Sequence, residues 1–287
     1  MNANLDIRPS PIAGQWYPGD PKRLSSSVDG YIHDAVLPEL DGEVVAIVTP
    51  HAGHIYSGPV AGYAFATLRG LKPDLVAVIS PMHYPYNEPF LTTAHDAYQT
   101  PLGLLMVDRE AVQKLSGCLE EQLGYGLSQV KRDREHSLEI ELPFLQRVIE
   151  SEFKLLPVMV REQDRRGTQA LGICLAKTLE GRSAVLVAST DLSHFYPLNL
   201  ANQLDEVMLN AIASFDPDEV IRAEEEGRGF ACGRGALAAV LWAARDLGAD
   251  RVKVLKHATS AEVTGDKSQV VGYGSAVVLR STPGSPG

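Results

Sequence analysis

Three histidines stand just beyond short apolar runs: His51 after "VVAIVTP", His83 after "LVAVISPM" and His194 after "AVLVASTDLS". An imidazole binds a metal through one ring nitrogen or exchanges a proton near neutral pH, so three delivered to one place would support metal-assisted or acid–base chemistry. Cys232 in "FACGRGA" directly precedes a helical run that starts near Gly235. Helix N-termini favour the thiolate, the form that binds metals and attacks electrophiles. A further cluster, "REHSLEIELPF", places Glu135, His136, Glu139 and Glu141 within seven residues. In a helix, Glu135 and Glu139 would share one face a turn apart, a face that is ordinarily solvated, and Pro143 would kink or restart it. Tyr56, Tyr84, Tyr86, Phe195 and Tyr196 follow the strand-end histidines closely and could line a pocket for a flat substrate.

The elements that must position these groups alternate along the chain. Apolar runs at 44–48, 75–80, 155–160, 184–189, 252–256 and 270–279 read as strands. Helical patterns fall at 60–68, 109–115, 143–152, 167–179, 201–214, 217–225 and 235–247. Asp216 before Pro217 is a helix cap with a first-turn proline, and Gly248 is a helix stop. The strand runs are continuous rather than alternating, which predicts a mostly parallel or mixed sheet covered by helices on both faces. Open sheets of this kind bind ligands beyond the carboxyl ends of their strands, where the histidines fall. With no linker or composition shift, the expectation is one domain over 1–287, with a frayed tail at about 281–287, "STPGSPG".

The chain of 287 residues has 36 acidic against 26 basic residues, a net charge of −10, and no basic cluster. Such a surface argues against nucleic acid as a partner. No apolar run approaches a membrane span, and the first residues lack a secretory pattern, so a soluble cytoplasmic protein is expected. Three cysteines are too few and unpatterned for a disulfide framework, and Cys174 is expected to be a buried, inert thiol like any core residue.

Six segments in order, "RPSPIAGQWYPGDP", "TPHAGHIYSG", "SPMHYP", "EHSLEIELPFLQ", "STDLSHF" and "ACGRGA", resemble the Memo protein family, whose prokaryotic members are also called AmmeMemoRadiSam system protein B. The resemblance runs from about Arg8 to about Leu279. It implies a single three-layer α/β domain similar to class III extradiol dioxygenases, with His51, His83 and Cys232 as metal ligands. His194 matches the acid/base histidine of those enzymes, with Asp191 beside it. His54 is implied to line the pocket with Tyr56, and Glu135, His136 and Glu139 fall on its substrate side. The implied function is a non-haem iron(II) or copper oxidoreductase acting on a small, aromatic substrate. Because a thiolate replaces the usual carboxylate ligand, zinc and a hydrolase activity stand as the alternative. Cys232 as a metal-free nucleophile paired with a histidine is another, and a protein-interaction module without catalysis a further one. The prokaryotic family name also implies AMMECR1-type and radical-SAM proteins as partners.

Overall fold

A computed structural model describes residues 5–281 and forms strands over all six apolar runs. In chain order the first elements are β1 (Ile7–Arg8), α1 (Pro21–Asp34), β2 (Glu43–Thr49), α2 (His54–Ala66), β3 (Leu75–Pro81), β4 (Phe90–Thr93), β5 (Ala97–Thr100), β6 (Gly103–Met106) and α3 (Arg109–Leu123). There follow β7 (Ser128–Val130), α4 (Leu142–Val148), β8 (Lys154–Val160), α5 (Arg165–Leu179), β9 (Ala184–Ser189) and β10 (His194–Tyr196). The last are α6 (Leu198–Ala213), α7 (Pro217–Glu225), α8 (Arg234–Asp246), β11 (Arg251–Thr259), α9 (Ala261–Thr264) and β12 (Val270–Arg280).

Strands β2, β9, β3 and β8 lie side by side in that order and run parallel. Every residue of β3 is buried, as a strand covered on both faces must be. β12 pairs antiparallel with β2, β11 pairs antiparallel with β12, and β4 joins β8 antiparallel at the other side, so the sheet is mixed. A separate three-stranded sheet, β1-β5-β6, anchors the N-terminal segment. One group of helices is α1, α2 and α4, with α2 against β2 and β12; the other runs from α3 through α5 and α8 to α7, with α8 against β3 and β9. This is the single mixed-sheet α/β domain expected.

Contact between α1 and α2 depends on a missing side chain: a Cβ on Gly62 would stand 2.2 Å from the Tyr31 carbonyl oxygen. Asp216 caps α7 as expected. Four expectations are corrected. α2 starts at His54 and holds Pro59 inside it, rather than starting at residue 60. The cluster at 135–139 is not one helix, because only Glu139–Glu141 forms a 3-10 turn before α4. Nor is its face solvated: Glu135, Glu139 and Glu141 are all buried. Finally, Cys118 on α3 and Cys174 on α5 form a disulfide, so Cys174 is not a free thiol. Proximity of the two packed helices supplies a pairing that no sequence spacing announces. No helix among the described residues is long and apolar enough to cross a membrane. Of the expected frayed tail, all but Ser281 lies outside the described residues.

Candidate metal centre

Three of the parallel strands deliver their candidate residues at the same edge. β2 ends at Thr49 and turns at Pro50 into His51, β3 ends at Pro81 and leads to His83, and β9, between them, ends at Ser189 and leads to Asp191. Strand-end loops are exposed to each other there while the backbone beneath stays paired. One ring nitrogen from each of His51, His83 and His136 lies within 4.8 Å of the others. His136 arrives from the loop after β7 rather than from a strand end. Its ring stacks on His83 with centroids 4.8 Å apart, and Trp16 packs on it at 4.0 Å.

Glu135 organises two of these rings. Its Oε1 lies 2.9 Å from His83 Nδ1 and 3.3 Å from His136 Nδ1, while its Oε2 accepts from the His83 backbone N–H at 2.6 Å. The same carboxylate accepts the backbone N–H groups of His136 and Ser137, at 2.9 and 3.0 Å. Burial would raise the Glu135 carboxyl, but hydrogen bonding and charge from His83, with the Ser137 N–H and His136, hold it down to about 2. It is therefore an acceptor, and His83 Nδ1 donates to it, leaving His83 Nε2 with a free lone pair.

His51 is buried, with its backbone N–H donating to Asp191 Oδ1 at 2.7 Å and Nδ1 2.9 Å from Ser189 Oγ. Desolvation first, then the other site histidines, push His51 well below its ordinary value. Desolvation likewise lowers His136 to about 4, against the opposing charge of Glu135. Both are neutral at pH 7, the form in which imidazole binds metals.

Cys232 sits against one member of the histidine group. Its sulfur is 3.2 Å from His51 Nε2 and accepts the Asp191 N–H at 3.3 Å. Gly233 next to it packs so close to β9 that a Cβ would lie 2.4 Å from the Ser189 carbonyl oxygen. Against the pull of the following helix, burial, and then the charge of Asp191, push the thiol well above its usual value. A thiol raised in this way would lose its proton on binding a metal rather than to solvent.

Asp191 is raised to about 6, by desolvation first, against the opposing pull of His194. His194 Nδ1 lies 2.8 Å from the Leu192 carbonyl oxygen, so Nδ1 carries the hydrogen and Nε2 the lone pair. His54 lies within α2, buried, with Nε2 bonded to the Ile140 carbonyl at 3.0 Å and its ring against Tyr17 and Phe144. Tyr56 is exposed. Glu139 faces the N-terminal segment, where it accepts from Arg8, from Ser10 at 2.5 Å and from Tyr17 at 2.7 Å. A cavity of about 320 Å³, lined by Trp16, Tyr84, Arg134 and His136 among others, opens beside the histidine group.

One group at the centre escaped sequence reasoning, and another falls in a different part of the site from the one expected. His136, expected on the substrate side, joins the histidine group although it follows no apolar run. Ser189 had a visible signal, a polar residue closing the otherwise apolar "AVLVAS".

Comparisons with known proteins show the family. A family model described as Memo-like protein matches residues 8–277. A MEMO1 family protein of Methanococcoides burtonii is 35% identical over 274 residues, covering 95% of this chain and 100% of its own length. Another, from Nitrosopumilus maritimus, is 32% identical over 272 residues, covering 93% and 98%. A crystal structure of an uncharacterized protein from Escherichia coli K12 superposes with a TM-score of 0.51 at 13% identity, covering 82% of this chain and 100% of that one, a likeness of fold alone. With near full-length matches on both sides and a family model spanning all three strand-end histidines and Cys232, this chain belongs to the Memo family.

Proposed function

We propose that the protein is a metal-dependent oxidoreductase with iron(II) as its metal and a small, unsaturated molecule as its substrate. The observation behind this reading is the convergence of three imidazoles, with His51 and His136 held neutral, at the open end of a parallel sheet. The donor set fits a metal. Bonds of about 2.0–2.1 Å hold neighbouring nitrogens about 3–4 Å apart on one ion, so nitrogens already within 4.8 Å need only a small closing movement. When bound, the metal supplies Lewis acidity and, as iron(II), one-electron exchange with oxygen.

The chain's own residues do the rest. Glu135 fixes the directions of His83 and His136 through their Nδ1 atoms. His194 moves a proton at Nε2, because Nδ1 is committed to Leu192. Asp191 holds the His51 backbone and sets the charge that His194 faces. The flat body of a substrate lies against Trp16 and Tyr84, with Arg134 adding a positive charge to that wall. Elemental analysis of protein purified without oxygen tests the centre, with wild type beside His51→Ala, His136→Ala and Cys232→Ser. Iron retained by wild type and lost from both histidine variants is the expected result; equal metal in wild type and His51→Ala defeats it. Exposure of the iron form to air with a panel of catechols then tests the oxygen chemistry by ring-opened absorbance.

A second reading, a zinc hydrolase, is favoured by one contact. The Cys232 sulfur 3.2 Å from His51 Nε2 offers, with His51 and His83, the two-histidine, one-thiolate set of catalytic zinc sites. Zinc in the isolated wild type, lost on Cys232→Ser and without redox response, would select it.

A further inference from the structure

We infer that Ser189, held in turn by Glu141, is a positioning residue that fixes the tautomer of His51 so that Nε2 offers its lone pair to the histidine group. The inference deepens the metal-centre reading and rests on it for its purpose, though not for its geometry. The Ser189 hydroxyl oxygen lies 2.9 Å from His51 Nδ1, 2.9 Å from the Ser137 carbonyl oxygen and 2.6 Å from Glu141 Oε1. Ser189, Ser137 and Glu141 are all buried, so no solvent competes for these bonds.

A hydroxyl has one proton to give. If Glu141 is ionised, Ser189 donates to it. If Glu141 is protonated, the state its complete burial favours, the carboxylic acid donates to Ser189 and the hydroxyl proton goes to the Ser137 carbonyl. Toward His51 the oxygen accepts in both states. Nδ1 therefore carries the hydrogen, and Nε2, 3.2 Å from the Cys232 sulfur, carries the lone pair. Thr49 Oγ1, 3.3 Å from Glu141 Oε2, steadies the far end of the chain. The relay joins three segments: the residues after β2, the end of β9 and the turn before α4. Without Glu141 nothing donates to the Ser189 oxygen or takes its proton except the Ser137 carbonyl, so the hydroxyl can turn from that carbonyl and donate to Nδ1. That would move the His51 hydrogen to Nε2, where it faces the Cys232 sulfur and blocks the ligand position.

Nitrogen-15 NMR of the metal-free protein, labelled at histidine, reads the tautomer directly. Wild type should show His51 with hydrogen on Nδ1. Ser189→Ala and Glu141→Leu should shift it toward Nε2 and weaken cobalt(II) binding by about 10–100-fold, the usual cost of losing a partner behind a ligand. Glu141→Gln should keep both properties, since its amide N–H can donate to Ser189 where the acid did. Circular dichroism melts confirm that each variant is folded, and Ser189→Ala, which removes a single oxygen, keeps the test open should Glu141→Leu unfold. His51 retaining hydrogen on Nδ1 in Ser189→Ala overturns the inference, as does Glu141→Gln shifting the tautomer. Failure of wild type to bind cobalt(II) would instead count against the metal centre, leaving the tautomer measurement to judge the relay by itself.

Discussion

Charging His54 is costly because its ring is enclosed between Tyr17, Phe144 and the Ile140 carbonyl, and desolvation lowers it to about 4. In the unfolded chain a histidine titrates near 6.5, so between about pH 6.5 and 4 the unfolded state binds a proton that the folded state refuses. Stability from this residue is complete above that window and falls as the pH drops through it, by about 2 kcal/mol between pH 7 and 5. Asp191, raised to about 6, acts with the opposite sign, so the clean measurement is a difference. Urea unfolding of His54→Gln against wild type at pH 7, 6 and 5 should show the wild type losing more stability on acidification; parallel curves would refute the assignment. At this scale His51 and His83 could be read from sequence because each follows an apolar run and a proline. His136 could be read only as a substrate-side residue of its own cluster, not as a member of this group. Glu135 folds its carboxylate back onto the N–H groups of residues 136 and 137, which turns the loop there and ends any helical spacing.

Packing between elements yields two opposed predictions from glycine. Gly62 on α2 lies under α1, with the Tyr31 carbonyl 2.2 Å from any added Cβ, so Gly62→Ala should cost about 2–3 kcal/mol through a backbone clash. Gly30 sits within α1 with nothing near its Cβ position, and Gly30→Ala should raise stability by about 0.5–1 kcal/mol from helix propensity alone. Thermal melts of both check the pair, and a stable Gly62→Ala would contradict the close approach. The strap formed by β1 and the residues after it is tied down by charge: Arg8, itself buried, pairs with Asp133 at 2.7 Å and with Glu139. Arg8→Ala strands two buried carboxylates and should cost about 3–5 kcal/mol in urea unfolding, whereas a value near 1 would mean the pair is solvated. Long elements were legible because their periodicity is long. The short β4, β5, β6, β7 and β10 were not, since three or four residues hold no pattern. α1 was missed although Asp20-Pro21 repeats the signal of Asp216-Pro217; its polar composition hid the three buried positions, Leu24, Val28 and Ile32.

Across the whole molecule, the parallel order β2-β9-β3-β8 was foreseeable only as a class, since which strand neighbours which depends on helix packing that no local run encodes. The Cys118–Cys174 bond shows the same limit. The two residues are 56 apart in sequence and meet because α3 packs on α5. Closing that loop should stabilise the fold by about 4 kcal/mol on the chain-entropy estimate. Mass spectrometry of unreduced protein should find one cross-link and one free thiol, at Cys232, and Cys118→Ser should unfold at lower urea while its metal content is unaltered. Two free thiols more in the unreduced protein would refute it. The indole of Trp16 rests 4.0 Å from the His136 ring, while the other tryptophan, Trp242, lies on α8 between Arg165 and Arg245. The molecule thus contains its own optical gauge: an ion with unpaired electrons arriving at His136 would dim one emitter and spare the other, so occupancy can be followed by light without any attached label.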